Sequence, residues 1–274
     1  MWPLQENSLG TYTDSFVRFP ATQFSKDDDF VVYKTPTRAD FWWGAYLVSR
    51  TPVTKENLAA MLGEWEKRLG ELRDIRKKII QWELPVGDLP ITAPELSAQF
   101  NDPLATIHVN SVLMATPVAM RSTFTLSDVT LQEATSKRDL DAILEMTLDD
   151  LESTPDSPAT ADFLRWTHGQ FCEGVKNGCG RWWMLKYKGE LVANCGLFGQ
   201  GRTARFREVT THPNWRRRGF ARMLCQLVLA EGFKDPSVEQ VVIIAEHDSS
   251  PERIYKSAGF SLNSFQVALR WDLK

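Results

Sequence analysis

The chain has 274 residues, enough for one large domain or two ordinary ones, and its 43% hydrophobic and 24% charged residues suit packed cores and exclude wholesale disorder. A formal net charge of −3 gives no electrostatic reason to expect nucleic acid or an anionic membrane as a partner. Met1–Glu6 lacks the basic and apolar segments of a signal peptide, no apolar run reaches the length of a membrane span, and Cys172, Cys179, Cys195 and Cys225 are spaced for neither a zinc site nor a disulfide framework. A reduced cytoplasmic protein without a metal is the expectation.

Residues 1 to about 24 show no clear periodicity. Phe30–Tyr33 and Trp42–Val48 read as aromatic, β-branched strands joined by a turn containing proline. Thr54 reads as the N-cap of a helix whose apolar positions are Leu58, Met61, Leu62, Trp65 and Leu69. Lys78–Leu84 and Thr106–Leu113 read as strands, separated by a stretch punctuated by Pro85, Pro90, Pro94 and Pro103; residues 115–125 read as a linker. Beyond it, Val129–Leu131 opens a second unit. Ser136 and Asp139 mark a helix start, and a second helix runs from about Ala159 to Val175 and ends at Asn177-Gly178. Three strands follow, Trp182–Tyr187, Leu191–Phe198 and Ala204–Thr211, the first two joined by a Lys188-Gly189 turn. A helix is expected from about Gly219 to Glu231, a strand over Val241–Ala245, a short helix over Pro251–Ser257 and a last strand over Phe265–Leu273. That order implies an α/β fold, a mixed central sheet flanked by helices.

The most informative segment is Glu208–Arg222, where a strand runs through a loop into an amphipathic helix with Phe220, Leu224, Leu227 and Val228 on one face. The helix start carries Arg216, Arg217, Arg218 and Arg222, although the macrodipole disfavours cations there. An anion at the helix N-terminus reconciles the two, because free N–H groups and the dipole both favour negative charge, and Gly219 lets the backbone approach closely. A pyrophosphate is the natural guest.

Arg216-Arg217-Arg218-Gly219-Phe220-Ala221 resembles the Gln/Arg-x-x-Gly-x-Gly/Ala signature of the GNAT acetyltransferase superfamily, and Ile254-Tyr255-Lys256-Ser257-Ala258-Gly259-Phe260 resembles its second signature. One helix and one strand separate the two, as in that fold, and the resemblance covers about residues 126–274. It implies a catalytic GNAT domain over 126–274 with acetyl-CoA as co-substrate, and an activity that moves the acetyl group to a primary amine of a small molecule or a protein. The resemblance places the pantetheine arm along Val209, Thr210 and Thr211, the pyrophosphate on Arg216, Arg217, Arg218, Gly219, Phe220, Ala221 and Arg222, and a CoA contact at Asp248. The family often has asparagine at this last position, and an ionised aspartate cannot donate the same hydrogen bond. Tyr255 matches the tyrosine that protonates the leaving sulfur.

The general base stays open among Glu208, Glu246, His247 and water. Strict alternation puts Glu208 and Thr210 on one face of their strand. The N–H of Val209 is the candidate oxyanion donor. Residues 25–115 repeat the coarse order of strands, a helix and strands without an Arg-x-x-Gly-x-Ala loop, so 1–120 reads as a degenerate GNAT-like copy that builds the acceptor pocket or an interface. Trp42-Trp43 and Trp182-Trp183 read as core rather than as an aromatic substrate wall. A CoA-binding regulatory or scaffold protein without turnover is the competing class; the acceptor's identity and the oligomeric state are not legible.

Overall fold

The computed structural model describes residues 8–17, 20–41, 43–88, 100, 102, 104–117, 128–152 and 160–273. They form a mixed α/β structure that divides into two compact units. One comprises Met1–Val112, Ile244–Ser249 and Leu262–Lys274, and the other Leu113–Ile243 and Ser250–Ser261. The expected linker lies largely outside the described residues, as do Pro90, Pro94 and Pro103.

The first unit contains α1 (Leu9–Asp14), β1 (Gln23–Lys26), β2 (Phe30–Lys34), β3 (Ala45–Ser49), α2 (Leu58–Leu69), β4 (Lys77–Pro85), most of β5 (Ala105–Ala115) and nearly all of β11 (Ser261–Asp272). Its strands lie in the order β1-β2-β3-β4-β11-β5. β1, β2 and β3 pair antiparallel; β3 then pairs parallel with β4 through Leu47↔Ile80 and Val48↔Gln81, with α2 as the crossover. The long antiparallel pairing of β4 with β11 runs from Ser264↔Pro85 to Asp272↔Lys77. Trp65 and Leu69 of α2 are buried among Leu47, Ile80, Trp82, Val267 and Leu269, whereas Val31, Tyr33, Tyr46, Val48, Ile79 and Ala268 form a second cluster. Successive strand residues alternate between the two clusters, as a sheet buried on both faces requires.

Three expectations change here. The strand read over Trp42–Val48 begins at Ala45, and Trp43 lies in the preceding turn; Trp42 is outside the described residues. A Cβ on Gly44 would meet the Arg38 carbonyl oxygen at 2.3 Å, so the chain makes a close crossing there instead of extending. The N-cap position of α2 is Asn57, not Thr54, and its side chain makes no cap bond to the helix: the Thr54 N–H donates to Asn57 Oδ1 at 2.8 Å and the Asn57 N–H to Thr54 Oγ1 at 3.4 Å, a closed turn just ahead of the helix. The segment without periodicity holds α1 and β1. β1 is exposed at every position, so it has no alternation to read.

The second unit contains β6 (Val129–Glu133), α3 (Lys137–Glu152), α4 (Ala161–Lys176), β7 (Gly180–Tyr187), β8 (Glu190–Gln200), β9 (Thr203–Thr211), α5 (Phe220–Gly232), the start of β10 (Gln240–Glu246) and α6 (Ser250–Ala258). Its strand order is β10-β9-β8-β7-β6. α4 starts at Thr160, whose hydroxyl accepts from the Phe163 N–H at 3.2 Å, and stops at Asn177 before Gly178, which has φ +74°. The β7–β8 turn is Lys188-Gly189 as expected, both residues at positive φ. β7, β8 and β9 pair antiparallel and β9 then pairs parallel with β10, α5 being the crossover. The motif β1-β2-β3-α2-β4 of the first unit therefore recurs as β7-β8-β9-α5-β10 in the second.

Candidate cofactor and acceptor site

The loop from β9 to α5 has a backbone shaped by three residues. A 3₁₀ turn over Pro213–Trp215 hands over to Arg216 in an extended conformation, Arg217 has φ +61°, and Gly219 stands at the N-cap of α5 with φ +84°. Left-handed backbone suits glycine and strains arginine. Such reversals turn successive N–H groups toward one concavity. No side chain caps α5 and its first turn carries no acid, so its leading N–H groups point outward without a side-chain acceptor. A Cβ built on Gly219 meets nothing within 4 Å; the space above the helix start is open.

The arginines of this loop are differently held. Arg216 pairs with Asp150 at the end of α3, and its Nε donates to the Thr211 carbonyl at 3.4 Å. The Arg218 guanidinium lies 4.7 Å from the centre of the Trp215 ring. Arg217 and Arg218 are exposed, Arg222 and Ala221 half-buried, and Phe220 is buried against Tyr187 and Trp215 with ring centres 5.5 and 5.8 Å away. His212 accepts from the Asn214 N–H through Nδ1 at 3.2 Å and lies 3.7 Å from Asp149 through Nε2.

β9 is irregular where the sequence places its chemistry. The parallel register with β10 runs Gln240↔Thr203, Val241↔Ala204 and Val242↔Arg205 and ends there, while β9 continues to Thr211. On its other side Arg207 pairs with Gly196 but Thr210 pairs with Asn194, so Glu208 and Val209 together oppose Cys195. This is a β-bulge, and Glu208 has φ +51°. Arg207 and Thr210, three residues apart, face partners two apart, so strict alternation fails between them. A carboxylate-bearing residue in left-handed backbone costs on the order of 1–3 kcal/mol, the kind of strain that gathers at functional sites. Glu208 Oε1 is 2.9 Å from Arg207 Nε.

Tyr255 of α6 is 8% exposed and packs edge-on to Phe260 at 6.4 Å. Burial, foremost, raises its pKa well above the usual tyrosine value, with Cys225, Cys195 and Glu208 adding to the rise. The Cys225 thiol is itself pushed up to about 12 by burial.

Glu208 also lines a recess with Thr147 of α3, Leu164, Thr167, His168 and Phe171 of α4, and Trp182 of β7. Sequence reading singled out only Glu208 from this set and assigned Trp182 to the core, where it is indeed 2% exposed. His168, Thr167 and Leu164 share one face of α4, a face the helical periodicity marks only as amphipathic. Burial lowers the pKa of His168, opposed by a hydrogen bond to the Leu140 backbone and by Asp141 and Glu208.

The remaining candidates lie in the first unit. Asp248 has φ +59° and a side chain 89% exposed, 3.6 Å from His247 Nε2. His247 bonds Ser111 Oγ through Nδ1 at 3.0 Å, packs edge-on to Phe265 at 5.0 Å, and its N–H donates to the Val109 carbonyl. It is a packed residue of the turn after β10. Glu246 ends β10 and is exposed.

Comparison with known proteins agrees with this architecture. Residues 140–260 match the model of the acetyltransferase (GNAT) family. No curated protein matches the sequence significantly. Among solved structures, a conserved protein of unknown function from Staphylococcus epidermidis aligns with TM-score 0.72 at 11% identity, covering 95% of this chain and 97% of that one. A GCN5-related N-acetyltransferase from Kribbella flavida aligns with TM-score 0.64 at 14% identity, over 96% and 93%. A tandem GNAT protein from the clavulanic acid biosynthesis pathway aligns with TM-score 0.60 at 12% identity, over 93% and 84%. At these identities the likeness is one of fold, and it supports two GNAT-like halves. No helix among the described residues is long and apolar enough to cross a membrane.

Proposed function

We propose that this chain, which over residues 140–260 belongs to the GNAT acetyltransferase family, moves an acetyl group from acetyl-CoA to a primary amine by direct attack. The observation that carries the reading is the start of α5: a left-handed Gly219 with open space above it, no side-chain cap, and a run of arginines. A pyrophosphate would find N–H donors, a favourable dipole and cations in one place. Acetyl-CoA supplies an activated thioester. Arg216, Arg217, Arg218, Gly219, Phe220, Ala221 and Arg222 would hold its phosphates, and the β9 backbone at Val209, Thr210 and Thr211, past the end of the parallel register, would hold the pantetheine arm.

The chemistry asks little of the side chains. As the amine nitrogen bonds to the acetyl carbon, the Val209 N–H would receive the developing oxyanion. As the carbon–sulfur bond breaks, Tyr255 would give its proton to the departing sulfur; its burial keeps that proton in place at neutral pH. Glu208 would take the proton that the amine must lose. The counterpart of the α5 start in the first half is the α2 start, which also has no side-chain cap but carries no glycine at positive φ and no run of arginines. The first half would accordingly hold no CoA of its own.

The test is calorimetry of CoA with the full chain and with Gly219→Glu, alongside amine-dependent thioester cleavage. Gly219→Glu is expected to fold, since its side chain meets open space and the left-handed backbone costs about 1–2 kcal/mol, and to lose CoA binding. Unchanged CoA affinity in the folded variant would overturn the reading.

A further inference from the structure

Two local arrangements in the second unit run against the helix macrodipole. The last turn of α3 carries Asp149 and Asp150 and no basic residue, although the negative end of the dipole disfavours carboxylates there. The start of α5 follows Arg216, Arg217 and Arg218 and carries no acid, although the positive end disfavours cations. The fold brings the two together, so that each offsets the other. Asp150 pairs with Arg216, and Asp149 Oδ2 lies 3.7 Å from His212 Nε2. The two contacts are not alike. Arg216 is held at several points: Nη2 pairs with Asp150, Nε donates to the Thr211 carbonyl at 3.4 Å, and the backbone N–H donates to the Pro213 carbonyl at 3.3 Å. The Asp149 contact is too long for a hydrogen bond, and that side chain is 56% exposed against 33% for Asp150. His212 is placed without it, through the Asn214 N–H on Nδ1 and through its own N–H on the Val192 carbonyl.

We infer that Asp150 is a positioning residue for the cofactor site: it holds the Arg216 guanidinium against the end of β9, and with it the entry of the loop that receives the pyrophosphate. The inference rests on the acetyl-CoA reading and adds to it a residue from outside both signatures. The guanidinium is a planar fork of five donors, so fixing it through Nε and Nη2 leaves the Nη1 edge in a set direction. Without Asp150 that side chain would have to be ordered as the phosphate arrives, and the ordering would be subtracted from the affinity. A second effect has the opposite sign. Asp150 is an anion beside an anion site, so Coulomb repulsion alone makes its removal tighten CoA. The first effect dominates, because repulsion between part-exposed charges is screened by water and salt, whereas a direct contact fixes geometry. Asp149 carries the same charge on the same turn without a bonded contact to the loop, so it reports the repulsion by itself.

The experiment is calorimetry of CoA with the full chain at fixed ionic strength, for the wild type, Asp149→Asn, Asp150→Asn and Asp150→Glu, with urea midpoints on the same samples to show that each is folded. Asp150→Asn is expected to weaken CoA by about three- to fivefold, the upper range for a partly exposed pair, although it removes a negative charge. Asp149→Asn should leave the affinity unchanged or raise it. Asp150→Glu keeps the carboxylate and should come within about twofold of the wild type. Arg216→Lys keeps the cation but loses the fork; it should weaken CoA as Asp150→Asn does, and adding Asp150→Asn to it should cost nothing further, the non-additivity of two partners in one contact. Unchanged or tighter CoA binding by folded Asp150→Asn overturns the inference and leaves acetyl transfer standing. Equal weakening by Asp149→Asn does the same, and so does wild-type affinity in Arg216→Lys. Failure of the wild-type chain to bind CoA overturns both.

Discussion

Tyr255 and Glu208 show how environment decides what one side chain can do. Tyr255 sits in an apolar shell that includes Cys195 and Cys225, so its phenolate is disfavoured and its proton is held. Tyr255→Phe is expected to leave CoA affinity intact and slow turnover by about 10²–10⁴-fold, the usual contribution of a positioned acid. Ionisation is harder in the folded chain than in the unfolded one, so this group's stabilising contribution is full below the ordinary tyrosine value of about 10 and is lost as pH climbs toward the raised value. In the proposed role Tyr255 would stay protonated across neutral and mildly alkaline pH, and the wild-type kcat profile should show no fall assignable to it between pH 7 and about 10. Equal turnover by Tyr255→Phe, with chemistry rate-limiting, would return the residue to packing. The two signatures were legible as elements: Tyr255 falls on α6 and Arg216–Arg222 at the start of α5, as the order of the sequence implied. The strain at Glu208 was not: a bulge depends on which residues face each other across β8 and β9, and that pairing leaves no mark in the local alternation of either strand.

Among elements, the two crossover helices differ most at their first turns. Neither has a side-chain cap, but α5 begins on a left-handed glycine behind a run of arginines, whereas α2 follows a turn in which Thr54 and Asn57 bond each other. The sequence has no glycine loop in the first half, and it put the helix start at Thr54, three residues ahead of the N-cap position Asn57, because both threonine and asparagine suit that place. α1 presents a harder case. Its N-cap Ser8 makes no side-chain cap bond; Glu83, near the end of β4, accepts from the Gly10 and Thr11 N–H groups at 3.2 and 3.1 Å and from the Ser264 hydroxyl at 2.5 Å. A helix of six residues cannot nucleate alone, so its start is written in a strand far along the chain. Burial raises the Glu83 pKa, partly offset by these donors. Glu83→Ala strands the donors and should cost about 1–3 kcal/mol for each left unsatisfied, measured by urea denaturation at neutral pH. The folded pKa being the higher one, Glu83's contribution is fullest below the ordinary glutamate value and declines as pH rises through the raised one. The penalty of the substitution should therefore be larger in mild acid than at neutral pH, and the opposite trend would show that the carboxylate is bound in its ionised form.

At the scale of the molecule, chain order and compactness part company at the carboxyl terminus. β11 follows the last helix of the second half, yet nearly all of it belongs to the first unit. Its register with β4 extends from Ser264 to Asp272, Val267, Leu269 and Trp271 are buried with Trp65, Ile80 and Trp82, Trp271 Nε1 donates to Asp102 Oδ2 at 2.8 Å, and Lys77 pairs with Asp272 at 2.5 Å. A sequence shows a strand pattern at 265–273 but cannot say which strand will pair with it, since pairing is a long-range choice. The consequence is testable by dissection. A fragment from residue 126 to the end keeps both cofactor signatures but loses β4 and α2, exposing Phe265, Val267, Leu269 and Trp271. At about 1.5–3 kcal/mol for each large apolar side chain, that loss is on the order of 6–12 kcal/mol, comparable with the whole stability of a typical domain, about 5–15 kcal/mol. The exposed strand would also present an unpaired edge, a template for aggregation. The fragment alone is therefore expected to aggregate, and co-expression with residues 1–125 to restore a monodisperse species that binds CoA. Light scattering after size exclusion, with CoA calorimetry on the recovered peak, makes the measurement. A monodisperse fragment with the affinity of the full chain would mean that β11 needs none of its first-half partners, and that the cofactor half folds as an independent domain.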